Sequence, residues 1–272
     1  MAQRRFITLT TDFGASDHFV GTMKGVVYNI NPSARVVDIS HEVASYDVLD
    51  GALTIAQAYS YFPPQTIHVV VVDPGVGSAR RPILARTEKY LFVAPDNGVL
   101  SLALEREQRV SVRHITAENY FLHPVSQTFH GRDIFAAVAG WLSTGLDSSD
   151  FGNEIRDYVR FSIPAPKVSE KGIQGIILKV DKFGNLVTNI TPRDIPQLFA
   201  PHPPPFSIMV GKQEVTSMRN SYAEGPSGEA FAILGSMGFL EIAMNQGSAA
   251  RVLEAGKGAE VVVSGEWLVG SG

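Results

Sequence analysis

Cysteine is absent from the 272 residues, which excludes disulfides, thiolate metal sites and cysteine nucleophiles. Long apolar runs are absent too, so no segment reads as a membrane span. The start, Met1-Ala2-Gln3-Arg4-Arg5, leads straight into a short strand without the hydrophobic stretch of a secretion signal. We therefore expect a cytoplasmic protein with no membrane partner. Basic charge is in no excess: 23 Lys and Arg stand against 27 Asp and Glu, a formal charge of −4, which argues against nucleic acid as a partner. The seven histidines include no i, i+4 pair beside an acid, so a zinc helix has no support and no metal is expected.

With 44% hydrophobic and 18% charged residues, the chain has material for an ample core. Residues 6–11 read as a strand, 17–30 as a helix, 35–39 as a strand, 47–61 as a helix and 66–72 as a strand. Strand and helix in alternation is the pattern of a parallel sheet with crossover helices. Two shorter strands follow at 82–86 and 90–93, then a short helix ending near Glu105, a strand at 109–115 and an apolar helix at 133–144. This predicts an N-terminal α/β domain over residues 1–162, its mostly parallel sheet flanked by helices. Residues 163–172, proline-bearing and polar, read as a linker. From 173 to 272 helical periodicity fades and short β-rich runs recur between Gly, Pro and Asn. That spacing predicts a smaller C-terminal antiparallel β-barrel or sandwich.

The stretch Val69-Val70-Val71-Val72-Asp73-Pro74-Gly75-Val76-Gly77-Ser78-Ala79-Arg80-Arg81 organises the first domain. Four β-branched residues suit a strand buried on both faces, and ligands of open α/β sheets bind beyond the carboxyl ends of such strands. Alone, Asp73-Pro74-Gly75 reads as a solvated turn. It has company in Asp12, which follows the first strand, and in His130, Arg132 and Asp133 at the mouth of the last helix. Several short motifs fall away. Asp12-Phe13-Gly14 lacks the glycine-rich loop and strand lysine of a kinase, and Gly75-Val76-Gly77 lacks the third glycine of a dinucleotide fingerprint. Two acids and a histidine at one sheet edge suit a divalent metal for phosphoester hydrolysis. They suit equally a sugar's hydroxyls with a nucleophilic water. Spacing leaves both open.

Five ordered segments decide further. Thr10-Thr11-Asp12-Phe13-Gly14, Asp73 to Arg81, Phe129-His130-Gly131-Arg132-Asp133, the run from Asp181 to Asn189, and Gly235-Ser236-Met237-Gly238-Phe239-Leu240-Glu241-Ile242 resemble the motifs of the S-adenosyl-L-methionine hydroxide adenosyltransferase family, relatives of fluorinase and chlorinase. The resemblance spans the chain. It implies cleavage of S-adenosyl-L-methionine at ribose C5′ by water, giving adenosine and L-methionine without a cofactor. It also implies a homotrimer with sites between subunits. It places Asp73, Arg80 and His130 as the catalytic set, Asp12 on the ribose hydroxyls, and Phe183 and Asn185 on adenosine. Tyr46 would wall the substrate, and Tyr222, Ser236 and Glu241 would line its adenine and methionine ends.

Three positions depart from the halogenases: Asp73 replaces a tyrosine, Gly131 a halide-contacting serine, and Met237 an arginine. A halide would be poorly held beside a carboxylate without that hydroxyl, and the substrate carboxylate loses a bidentate partner. A non-catalytic adenosine or S-adenosyl-L-methionine binding module is the alternative reading. A halide-using halogenase and a metal phosphohydrolase on Asp12 and Asp73 are weaker ones.

Overall fold

Ile67–Val71, with all five side chains buried, is an interior strand of the N-terminal sheet. The computed structural model describes residues 5–169 and 172–266, and the chain divides into two compact units, Met1–Ser162 and Ile163–Gly272. Met1–Arg4 at the start, and Glu170 and Lys171 of the expected linker, lie outside the described residues.

The first unit runs β1 (Phe6–Thr11), α1 (Phe19–Ile30), β2 (Arg35–Ser40), α2 (Val48–Ala58), β3 (Ile67–Val71), β4 (Pro82–Arg86), β5 (Leu91–Pro95), α3 (Ser101–Leu104), β6 (Ser111–His114), α4 (Ala137–Thr144) and β7 (Glu154–Ile155). The sheet order is β2-β1-β3-β5-β4-β6-β7. Its first four strands are parallel, and β4, β6 and β7 continue it antiparallel. This is the expected α/β architecture. Alternation along β3 explains burial on both faces. Ile67, Val69 and Val71 join Val20, Met23 and Val27 of α1 and Val138 and Leu142 of α4 in one core. His68 points the other way, among the rings of Tyr59, Phe62, Tyr90 and Phe92 at 5.1–6.0 Å between centroids. Thr8 Oγ1 lies 2.7 Å from its Nδ1. Burial in this apolar box pushes the His68 pKa down to about 3.

The expected helix at 133–144 starts differently. Gly131–Ala136 forms a π-helical turn, and the α-helix proper begins at Ala137. Asp133 accounts for the widening. Its carboxylate, without solvent exposure, accepts from Arg132 Nε at 2.6 Å, Arg132 Nη2 at 3.0 Å and the Ser126 amide at 2.8 Å. The Leu122 amide donates to its carbonyl at 2.8 Å. One buried acid therefore ties down the loop that ends in His130. Asp133→Ala is expected to cost about 2 kcal/mol of stability, since it strands a partly buried amide and unpairs the partly exposed Arg132. Urea unfolding measures it.

The second unit contains β8 (Lys167–Ser169), β9 (Gly172–Val180), β10 (Leu186–Thr188), β11 (Phe206–Val210), β12 (Gln213–Val215), β13 (Met218–Arg219), β14 (Ala230–Leu234), β15 (Leu240–Met244), α5 (Ala249–Val252) and β16 (Glu260–Gly265). The order is β12-β11-β16-β9-β10-β15-β14-β13, with β8 also on β9. All pairs are antiparallel except β13 with β14. The edge strand β12 returns against β14, so the sheet curls around Ile177, Leu186, Ile208, Leu240, Ile242 and Val261. The strand β8 falls inside the stretch expected as linker.

Candidate active site

Thr11 of β1 pairs with Val71 of β3 in parallel register. The acids that follow, Asp12 and Asp73, therefore leave the sheet at the same carboxyl edge, where such folds bind ligands. After Asp73 the chain turns tightly: the Val76 amide donates to the Asp73 carbonyl at 3.2 Å, and the Ser78 amide to Gly75 at 3.1 Å. Gly77 has φ +77°, and a Cβ there would run into the Gln127 carbonyl. That close approach lays the loop leading to His130 against the turn.

The turn sends Arg80 back over Asp73. Arg80 Nε donates to Asp73 Oδ1 at 3.0 Å, and Nη2 donates both to Asp73 Oδ2 and, at 2.7 Å, to His130 Nδ1. The Arg80 and Asp73 side chains are 9% and 5% exposed. The guanidinium also sits over the Phe135 ring, 5.2 Å from its centroid. A guanidinium only donates, so His130 Nδ1 accepts and the neutral ring carries its proton on Nε2. Burial, then the charge of Arg80, lowers the His130 pKa below its ordinary value. Arg80 Nη1 is buried without a hydrogen-bond partner.

Asp12 faces this group. Its Oδ2 accepts the Tyr46 amide at 2.8 Å. Burial, with a smaller contribution from the charge of Asp73, raises its pKa above the usual carboxylate value. Tyr46 has φ +64° and a ring 74% exposed. A bulky residue in the left-handed region carries strain, and the bond to Asp12 holds it there. Phe13, Phe19 and Phe129 pack edge-on or tilted with centroids 5.1–5.9 Å apart. With Val71 and Val76 they wall a pocket of about 120 Å3 whose polar lining is Asp73, Thr128 and His130, with Gly131 beside them. A Cβ at Gly131 would stand 3.3 Å from the rings of Phe13 and Phe129.

Arg81 behaves unlike its neighbour. It pairs with Asp96 at 2.7 Å and Asp157 at 2.9 Å and fastens the segment around residue 157 to the sheet. Its role is structural.

The second unit carries the other five expected residues. Phe183, Asn185, Tyr222, Ser236 and Glu241 line one cleft of about 730 Å3, together with Asp181. Asp181 builds its floor: Oδ1 accepts the amides of Phe183 and Asn185, each at 2.8 Å, and Oδ2 accepts Asn185 Nδ2 at 2.9 Å. The amide of Asn185 is thereby pinned, and its Oδ1 is left as a buried acceptor without a partner. Phe183, 76% exposed, stands out of the turn rather than in the core. Glu241, 4% exposed, accepts from the Tyr222 hydroxyl at 3.1 Å. Burial raises its pKa, and burial beside Glu241 pushes Tyr222 up to about 12. A Cβ at Gly235 would strike the Glu241 carboxylate, which explains that glycine. Asp181 is not among the residues expected from sequence, although its Asx-turn spacing to Phe183 and Asn185 is the signal that marks it.

Among the described residues, no group of three or more His, Asp or Glu is placed to hold a metal ion. No helix among them is long and apolar enough to cross a membrane.

Comparison with known proteins gives a consistent result. A family model for the SAM hydroxide adenosyltransferase N-terminal domain matches residues 7–152, and one for the C-terminal domain matches residues 175–262. The chain is 35% identical over 267 residues to an (R)-S-adenosyl-L-methionine hydrolase of Salinispora arenicola, covering 97% of this chain and 99% of that protein. It is 33% identical to a protein of the same name from Thermus thermophilus, over 92% and 95% of the two chains. A fluorinase of Nocardia brasiliensis is more distant, 25% identical over 91% and 93%. The crystal structure of an uncharacterized conserved protein from Thermotoga maritima superposes with a TM-score of 0.86 at 37% identity, covering 94% of this chain and 99% of that one. With both halves matched and full-length relatives above 30% identity, the chain belongs to the SAM hydroxide adenosyltransferase family.

Proposed function

We propose that this protein hydrolyses S-adenosyl-L-methionine at ribose C5′, releasing adenosine and L-methionine. The observation that carries the reading is the hydrogen-bonded set of Asp73, Arg80 and His130 at the sheet edge beside Asp12. The relatives from Salinispora arenicola and Thermus thermophilus are named (R)-S-adenosyl-L-methionine hydrolase, and we assign that epimer as a substrate. A cytoplasmic location and a reaction without a cofactor complete the reading.

The leaving group is a neutral thioether departing from a sulfonium, so it needs no proton. The demand falls on the nucleophile, a weak one that must be aligned opposite the carbon–sulfur bond. Alignment supplies several kcal/mol of the barrier reduction, and a base removes the water's proton as the new bond forms. In this reading Asp73 is the acceptor. Each of its oxygens accepts one Arg80 N–H and keeps a second lone pair for a water. His130, with Nδ1 committed to Arg80, offers Nε2–H as a donor that orients the water. Attack on a sulfonium neutralises charge, so the apolar walls of Phe13, Phe19 and Phe129 favour it. Asp12 takes the ribose hydroxyls, with Tyr46 beside it. Phe183 and Asn185 take adenosine, and Tyr222, Ser236 and Glu241 line the rest.

The expected residues fall in two groups, one per unit, and we propose that a homotrimer joins one chain's first group to a neighbour's second. A verified monomer is then inactive. Incubation with S-adenosyl-L-methionine, with and without halide and chelator, followed by product chromatography, tests the activity. Adenosine and methionine are expected in every arm. Saturable binding without turnover, or halogenated nucleoside, would replace the reading.

A further inference from the structure

The pocket beside Asp73 is larger and more apolar than a single water needs. It offers about 120 Å3, whereas a water's share of the liquid is about 30 Å3. Its polar groups, Asp73 and His130 with Thr128, stand against five apolar side chains, among them Phe13, Phe19 and Phe129. A water held at Asp73 satisfies the polar lining and leaves apolar volume along the aromatic walls on the nucleophile's side. Waters placed along those walls find few hydrogen bonds. A molecule with a hydroxyl at one end and one or two carbons at the other matches both.

We propose that this pocket accepts short primary alcohols as nucleophiles, so that the enzyme also transfers the adenosyl group to them, forming 5′-O-alkyladenosines. The inference rests on the hydrolase reading, since the alcohol takes the place of water. The step balances without a further reactant. The alcohol oxygen forms the bond to C5′, the carbon–sulfur bond breaks, and its electron pair leaves on sulfur as the methionine thioether. The alcohol's proton passes to Asp73 and on to solvent. Charge again cancels between nucleophile and sulfonium, as it does with water. Anionic nucleophiles do not share this access, because the Asp73 carboxylate faces the pocket and Gly131 brings no hydroxyl to it.

Seating one apolar carbon against these walls in place of water is expected to favour methanol roughly fourfold over water, mole for mole. Ethanol gains at least as much, and tert-butanol is shut out by its branching. The test supplies wild-type enzyme and S-adenosyl-L-methionine with each alcohol, at concentrations that leave the circular-dichroism spectrum unchanged. Mass spectrometry reads the ratio of ether to adenosine, divided by the molar ratio of alcohol to water. Values above one for methanol and ethanol, with no ether from tert-butanol, are the expected result. Values at or below one for both, with adenosine still forming, overturn the inference. Absence of adenosine from water alone defeats the hydrolase reading instead. Val76→Phe, which fills the pocket, is expected to lower the ether share of whatever product forms; an unchanged share in a folded variant also overturns the inference. If that variant does not fold, the wild-type alcohol series decides.

Discussion

Arg80→Ala lowers kcat by about three to four orders of magnitude in this account, close to the loss from removing a general base outright. One guanidinium holds both Asp73 and His130, so its removal releases two groups at once. It also leaves the Asp73 carboxylate, 5% exposed, without its cation. Breaking a buried pair from one side costs about 3–5 kcal/mol, so a lower melting temperature should accompany the kinetic loss. Arg80→Lys should fare little better, because an ammonium cannot present the planar fork that spans a carboxylate and an imidazole. Free guanidinium ion should restore part of the Arg80→Ala activity, a result that general destabilisation does not give. Steady-state adenosine release measures all three, and more than a tenth of wild-type kcat in Arg80→Ala would contradict the role. The lowered His130 pKa adds a pH signature. Charging the ring displaces the Arg80 bond to Nδ1, so the acid fall in kcat should lie below the pH at which an ordinary imidazole titrates.

His68 carries the second large effect, on stability. It is fully buried, with its pKa lowered to about 3 by burial from an ordinary value near 6.5. Folding therefore selects the neutral ring, and the unfolded chain binds the proton first as pH falls. The contribution is complete above pH 6.5, declines through the interval below it, and is gone near pH 3. Its size is about 5 kcal/mol by linkage. In His68→Leu that pH dependence should vanish. At neutral pH the variant should lose only about 1 kcal/mol, because Thr8 Oγ1 forfeits its partner. Urea midpoints across pH 7 to 4 for both proteins isolate the difference. Parallel acid slopes would show that His68 does not titrate with unfolding.

The strands legible in the sequence are those with a repeating apolar signal. Phe206–Val210, Ala230–Leu234 and Pro82–Arg86 stand where short apolar runs between turn residues place them. Lys167–Ser169, Gln213–Val215, Met218–Arg219 and the short helix Ala249–Val252 escape, since two to four residues carry no period. The π turn at Gly131–Ala136 escapes for another reason: it depends on what Asp133 captures from residues 122–126.

At the site, Asp12 and Asp73 are visible as acids that end apolar strands. Arg80 and Arg81 are indistinguishable by residue type. Only the turn geometry, set by Gly77 against Gln127, sends the first to Asp73 and the second to Asp96 and Asp157. Composition allows Phe183 to be core. Its place in the Asp181 turn, with its own amide and that of Asn185 held by one carboxylate, turns it outward instead.

In the proposed reaction a water activated at Asp73 attacks C5′. Turnover of S-adenosyl-L-methionine in oxygen-18 water tests it most directly. One solvent oxygen is expected in the 5′-hydroxyl of adenosine and none added to methionine, with Asp73→Asn abolishing both products. Label in the amino-acid product, or 5′-methylthioadenosine in place of adenosine, would contradict it.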